Sequence, residues 1–187
     1  MKKVLALLSL AAFSLGYAQG GTLILNNYSK YDFYGYIIAN NTTGNCYPHI
    51  SSANPEMVRV PYDSHMGNGK ALVYENYRDQ YTSSLYPMAT WSVALASGSS
   101  SITPRAWNNP SMAPGLVLSN NTKWATTKFV MYYPGTTDLA PDNFNGAVTL
   151  FNNCYSAPSN FTTPSGNGAE IFSITSGTDT ITYIQLF

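Results

Sequence analysis

Beyond residue 20 no long segment spaces its apolar residues three and four apart. The chain runs instead as short β-branched or aromatic stretches interrupted by Gly, Pro and Asn. Ten such stretches read as strands: Thr22–Leu25, Phe33–Ala39, Met57–Val60, Ala71–Tyr74, Trp91–Ala96, Leu116–Leu118, Lys128–Tyr133, Ala147–Phe151, Glu170–Thr175 and Thr180–Phe187. Several connections carry turn chemistry. Pro134-Gly135 suits the central pair of a type II turn, Asn145-Gly146 a type I′ turn, and Ser176-Gly177 separates the last two strands. Paired asparagines after Leu25 and Phe151 read as strand exits, because Asn tolerates left-handed backbone and caps its own turn. The last forty residues are expected to form an antiparallel meander. About ten short strands without intervening helices predict an all-β, single-domain antiparallel β-sandwich, with a closed β-barrel as the alternative.

Residues 1–18 read differently. Lys2 and Lys3 precede an apolar run from Val4 to Leu15, and Gly16-Tyr17-Ala18 supplies small residues at the −3 and −1 positions. The expectation is a cleaved signal peptide over 1–18, a mature domain over 19–187, and a secreted or cell-surface location. The apolar run is too short to span a bilayer, and no later stretch is long enough to do so as a helix. A processed chain of roughly 170 residues can bury about 70% of its unfolded surface in one core. Ser97–Ser101 and Pro104–Pro114 read as loops within that domain rather than as linkers.

Two cysteines, Cys46 and Cys154, remain in the exported portion. An even count in an oxidising compartment predicts a disulfide, which would tie the first third of the domain to the last.

Two of the nine basic residues lie in the leader, so the processed chain is acidic by two charges. The remaining cations are scattered singly, which excludes a phosphate-gripping nucleic-acid surface. Charged residues make up only 10% of the chain, against about 25% in ordinary domains. The surface must therefore be largely Asn, Ser, Thr, Gly and Tyr, suited to wet contact with sugars, solids or further copies of the chain.

Catalytic patterns are sparse. His49 and His65 lack partners at metal-ligand spacing, so no metal site and no cofactor are expected. Asp63-Ser64-His65 has the residue types of a hydrolase triad but no nucleophile elbow, and reads as a polar turn. Gly67-Asn68-Gly69-Lys70 lacks the first glycine and the hydroxyl of a phosphate loop. Asp142–Gly146 has oxygen donors but no terminal glutamate, so it too reads as a turn. Glu75 and Asp79 are the only clustered carboxylates, and no catalytic residue is assigned.

Aromatic residues are abundant, with 15 Tyr, 8 Phe and 3 Trp. Those inside apolar strands read as core. Tyr77, Tyr81, Trp107 and Trp124 have polar or turn-forming neighbours, and with Arg78 and Asn108 they form the candidate ligand-binding set. Rings at loop tips stack on sugar faces while Asn and Arg bond the hydroxyls.

The leading expectation is a secreted, non-enzymatic domain that binds extracellular glycan or a surface polymer. The alternative is a self-assembling subunit of a fibre or coat. It is motivated by Ile181–Phe187, apolar on both faces, which a second copy could cover by strand addition. A small outer-membrane barrel ranks third and a secreted hydrolase using Glu75 and Asp79 fourth.

Overall fold

In the segment Asp32–Asn40 the side chains alternate. Phe33, Ile37 and Ala39 are buried in the core, while Tyr34, Tyr36 and Ile38 take the opposite face. The computed structural model describes residues 20–41, 43, 45–52, 56–78, 80–98, 101–151, 154–177 and 179–187. The expected signal peptide and Asp79 lie outside the described residues.

Among the described residues there are twelve strands: β1 (Thr22–Asn27), β2 (Asp32–Asn40), β3 (His49–Ser51), β4 (Val58–Val60), β5 (Leu72–Tyr74), β6 (Thr90–Ala94), β7 (Ile102–Ala106), β8 (Lys123–Tyr132), β9 (Asn145–Thr149), β10 (Asn160–Thr162), β11 (Gly168–Ser176) and β12 (Asp179–Leu186). The smaller sheet has the order β10-β11-β12-β1-β5. The larger has the order β7-β6-β3-β2-β8-β9, with β4 also paired to β2. Each sheet ends in edge strands, so the protein is a sandwich and the barrel alternative is excluded, together with the outer-membrane reading built on it.

All pairings are antiparallel except that of β1 with β12, where Leu25 lies opposite Ile184. The first and last strands thus run side by side in the middle of the smaller sheet. β12 has β11 on one flank and β1 on the other. Both edges of its backbone are therefore used, and it has no free edge for strand addition. Ile184 and Leu186 face the core, and Tyr183 stacks on Phe172 on the outer face, 5.2 Å between centroids. The apolar character of both faces thus comes from a central position, and the fibre reading loses the strand that motivated it.

The core lies between the sheets. Leu23, Leu25, Leu72, Ile171 and Ile184 of the smaller sheet face Phe33, Ile37, Ile50, Val93, Phe129 and Met131 of the larger. Gly35 permits close packing here. A Cβ at that position would lie 2.6 Å from the Lys128 carbonyl oxygen and 2.8 Å from Phe129 Cβ, in the space that lets the Phe33 and Phe129 rings approach to 5.6 Å.

The disulfide forms as expected. Cys46, in the β2–β3 loop, bonds Cys154, beyond β9, across a sequence separation of 108.

Local reading failed in four places. Leu116–Leu118, expected as a strand, enters a short helix α2 (Val117–Asn121), after the one-turn α1 (Gln80–Ser83). Leu118 is buried while Val117 is 72% exposed. The polar residues that follow close the turn, with Asn121 Nδ2 donating to the Val117 carbonyl and Thr122 Oγ1 to that of Leu118. β3, β7 and β10 went unread because each is short. β7 also contains Pro104 and shows almost no burial, a combination tolerated because it is an edge strand. The Asn145-Gly146 pair does not form the turn. The chain reverses just before it, where Asp142 and Asn143 both have positive φ, and Asn145 begins β9. The meander is confined to β10–β12, since β9 belongs to the other sheet. Pro134-Gly135 does turn the chain, with Gly135 at φ +69° and the Thr136 amide donating to the Tyr133 carbonyl at 3.0 Å.

Candidate functional site

The six residues expected to bind ligand do not form one surface. Tyr77 and Trp124 are core residues, 3% and 2% exposed, so the expectation of exposed rings is corrected for both. They pack with Tyr74 and Trp91, with contacting centroids between 5.0 and 5.9 Å apart. Their polar atoms are satisfied internally. The Tyr77 hydroxyl meets Thr122 Oγ1 at 2.7 Å, and Trp124 Nε1 donates to the Gly21 carbonyl at 2.9 Å. Burial pushes the Tyr77 phenol well above its usual range. The polar sequence neighbours were misleading because one polar tip per ring is all a buried Tyr or Trp must satisfy.

Tyr81 and Trp107 do come together. Their rings stack at 4.8 Å and 8°, with Tyr81 39% exposed. Asn108 is exposed and Arg78 half-buried beside the α1 segment. Stacking uses one face of each ring on the other, leaving a small patch rather than a cleft.

The triad residue types form a turn. His65 Nδ1 accepts from the Gly67 amide and its Nε2 lies 3.3 Å from Asp63 Oδ1, so both ring nitrogens are engaged away from Ser64. Asp142 accepts the Ser165 amide at 2.6 Å and thereby pins the β10–β11 turn; hydrogen bonds from the Ser165 hydroxyl, then from its amide, hold the carboxyl below the usual range. Glu75 is exposed. Among the described residues no three His, Cys, Asp or Glu side chains gather as a metal site would require.

A cleft of about 650 Å³ opens elsewhere, on the outer face of the larger sheet. Its floor is built by period-two alternation: Tyr36 and Ile38 from β2, His49 and Ser51 from β3, Ser92 and Ala94 from β6, and Lys128 from β8. One wall is the disulfide with the tyrosine that follows each cysteine, Tyr47 and Tyr155. The cross-link therefore holds two tyrosine-bearing loops against the sheet. Gly98 and Ile102 form the opposite side.

Within the cleft the Tyr155 hydroxyl lies 3.1 Å from His49 Nδ1, and the Lys128 ammonium sits 4.5 Å from the Tyr155 ring centroid. Burial, then the neighbouring Lys128 cation, hold the His49 imidazole below its ordinary value. Burial, then Tyr47, push the Tyr155 phenol up to about 12. At neutral pH both groups are uncharged, and Lys128 is the one charge among the described residues lining the cleft. Aromatic walls, hydroxyls and an imidazole can hold a polar ligand by stacking and hydrogen bonding, and no carboxylate is among the described lining residues.

The His49 shift has a consequence for stability. In the unfolded chain His49 takes up a proton near pH 6.5, while in the folded chain it resists until the pH is lower. Between those values the unfolded state binds more protons, so acidification through this window removes stability. Melting temperature is expected to fall between pH 7 and 5, and to fall less in His49→Gln, with His65 retained in both proteins. Equal slopes in calorimetry would contradict this.

Sequence reasoning missed the cleft because its aromatics lie on strands or beside cysteines, not at loop tips. A signal was available in β2, where Tyr34, Tyr36 and Ile38 occupy the face that solvent would fill with small polar groups. The chain matches no protein-family model, no curated protein and no solved structure at a significant level, so inference about its task starts from the cleft itself.

Proposed function

We propose that this protein is a secreted, non-enzymatic domain that binds extracellular glycan or matrix polysaccharide, and that the sugar seats in the cleft lined by Tyr36, Tyr47 and Tyr155. The observation that carries the proposal is the composition of a concave site of ligand size. Aromatic rings stand beside the neutral donors and acceptors of His49, Ser51 and Ser92. Sugars present apolar C–H faces flanked by hydroxyls, and rings with neutral hydrogen-bonding groups match both. The floor rests on paired strands and one wall is cross-linked, so little conformational entropy is lost when ligand binds. Hydrolysis of a glycosidic bond commonly uses a pair of carboxyl groups, and among the described residues no Asp or Glu lines the cleft. The low charge of the whole chain favours contact with extended polar polymers. The disulfide supports an oxidising compartment.

A broad glycan array with the full mature chain tests this reading. Saturable binding is expected, weakened about tenfold or more in Tyr155→Ala, as for loss of an aromatic anchor. Tyr81 and Trp107 lie outside the cleft lining, so Trp107→Ala is expected to leave affinity unchanged. A blank array would overturn the proposal. Binding lost in Trp107→Ala but kept in Tyr155→Ala would move the site to the stacked pair.

A further inference from the structure

We infer that the sugar taken by this cleft carries an anionic substituent, a carboxylate or a sulfate, seated against Lys128. The inference rests on the reading of the cleft as a glycan site and names the class of glycan.

Lys128 lies at the centre of β8, opposite Tyr36 on one side and Ala147 on the other, and projects from the outer face of the sheet into the cleft. Among the described residues it makes no ion pair; the Tyr155 ring at 4.5 Å is its close partner. The surrounding loops give it no counter-ion either. Residues 41–48, 95–101 and 150–159 contain no charged side chain anywhere in their sequence. The wider face is biased the same way. Arg59, over the Tyr34 ring at 4.8 Å, and Lys123 join Lys128 there. Among the strands of this sheet the sole acid is Asp32, at the start of β2, whose carboxylate already accepts the Tyr62 and Gly135 amides. Cations are thus concentrated on this face, although the processed chain is acidic as a whole.

Selectivity follows from desolvation. A neutral sugar covering Lys128 strips water from an ammonium and returns no opposite charge. An anionic substituent returns a charge-assisted hydrogen bond in a site partly shielded from solvent. Neutral sugars are therefore disfavoured by the same residue that holds acidic ones. The ring of Tyr155 fixes the ammonium from one side and leaves its remaining N–H donors to the ligand.

The test is calorimetry on the full mature chain with three probes: a trigalacturonate for carboxylate, a keratan sulfate tetrasaccharide, which has no uronate, for sulfate, and cellotetraose as a neutral oligomer. At least one acidic probe is expected to bind about tenfold or more tightly than the neutral one. That preference is expected to vanish in Lys128→Met, to survive in Lys128→Arg, and to shrink as salt is raised. Which acidic probe binds tells carboxylate from sulfate. Neutral oligomers that bind equally well and depend on Tyr155 would overturn the anionic inference and leave the glycan reading standing. A preference for acidic probes that persists in Lys128→Met would also overturn it. Failure of all three probes together with a blank glycan array would overturn the glycan reading, and this inference with it.

Discussion

Replacing both Cys46 and Cys154 by alanine is expected to lower stability by about 4–5 kcal/mol, the unfolded-state entropy released when a closed loop of this length is opened. For a domain of this size each kcal/mol corresponds to about 2–4 °C, so the melting temperature should fall by roughly 10–15 °C. The bond joins the β2–β3 loop to the segment after β9, two connections from different parts of the larger sheet. Its loss leaves Tyr47 and Tyr155 without the link that holds them beside each other. Ligand binding measured well below the melting point is therefore expected to weaken together with stability. Scanning calorimetry of the double variant, with the single variants as free-thiol controls, checks the first effect. A melting temperature within about 2 °C of wild type would show that the cross-link contributes almost nothing.

Trp124→Ala is expected to cost about 3–5 kcal/mol. The ring is 2% exposed, contacts Tyr74, Tyr77 and Trp91, and donates to the Gly21 carbonyl ahead of β1. Removing it leaves a cavity among three aromatic rings and an unbonded carbonyl where the first strand begins. Trp107→Ala should cost far less, about 0.5–1.5 kcal/mol, because it loses mainly one stacked partner at a partly solvated site. Denaturant unfolding of the two variants gives the comparison directly. Similar costs would mean that Trp124 is not the core residue its burial indicates.

These two tryptophans mark where sequence reading stops. Both have polar or turn-forming neighbours, and from sequence they look alike. One is central to the core because β8 packs against the smaller sheet, where Trp124 meets Tyr74 of β5 and its carbonyl accepts from Thr182 of β12, and the other lies after an edge strand. Whether an aromatic ring is buried depends on what packs over it, and that comes from residues far away in the chain. The cleft was hidden for the same reason. Tyr36, His49, Lys128 and Tyr155 span more than a hundred positions and carry no shared motif. They meet because β2 pairs with both β3 and β8, and because the disulfide draws the Tyr155 loop onto β3.

What was legible is local in origin. Alternation along Phe33–Ala39, turn chemistry at Pro134-Gly135 and the paired β-rich segments before and after Ser176-Gly177 follow from backbone preferences of neighbouring residues, and they sufficed for the all-β sandwich. The pairing of the cysteines was also available, since two cysteines allow only one intramolecular bridge. Leu116–Leu118 shows the lower limit of this reasoning, because three apolar residues fit a strand and a single helical turn equally well. The chain by itself thus determined the class of fold and its cross-link. Strand order, the parallel seam between β1 and β12, the burial of Tyr77 and Trp124 and the assembly of the cleft were decided only by tertiary structure. Each of these depends on contacts between residues distant in sequence, whose free energy is gained only when the whole sandwich closes.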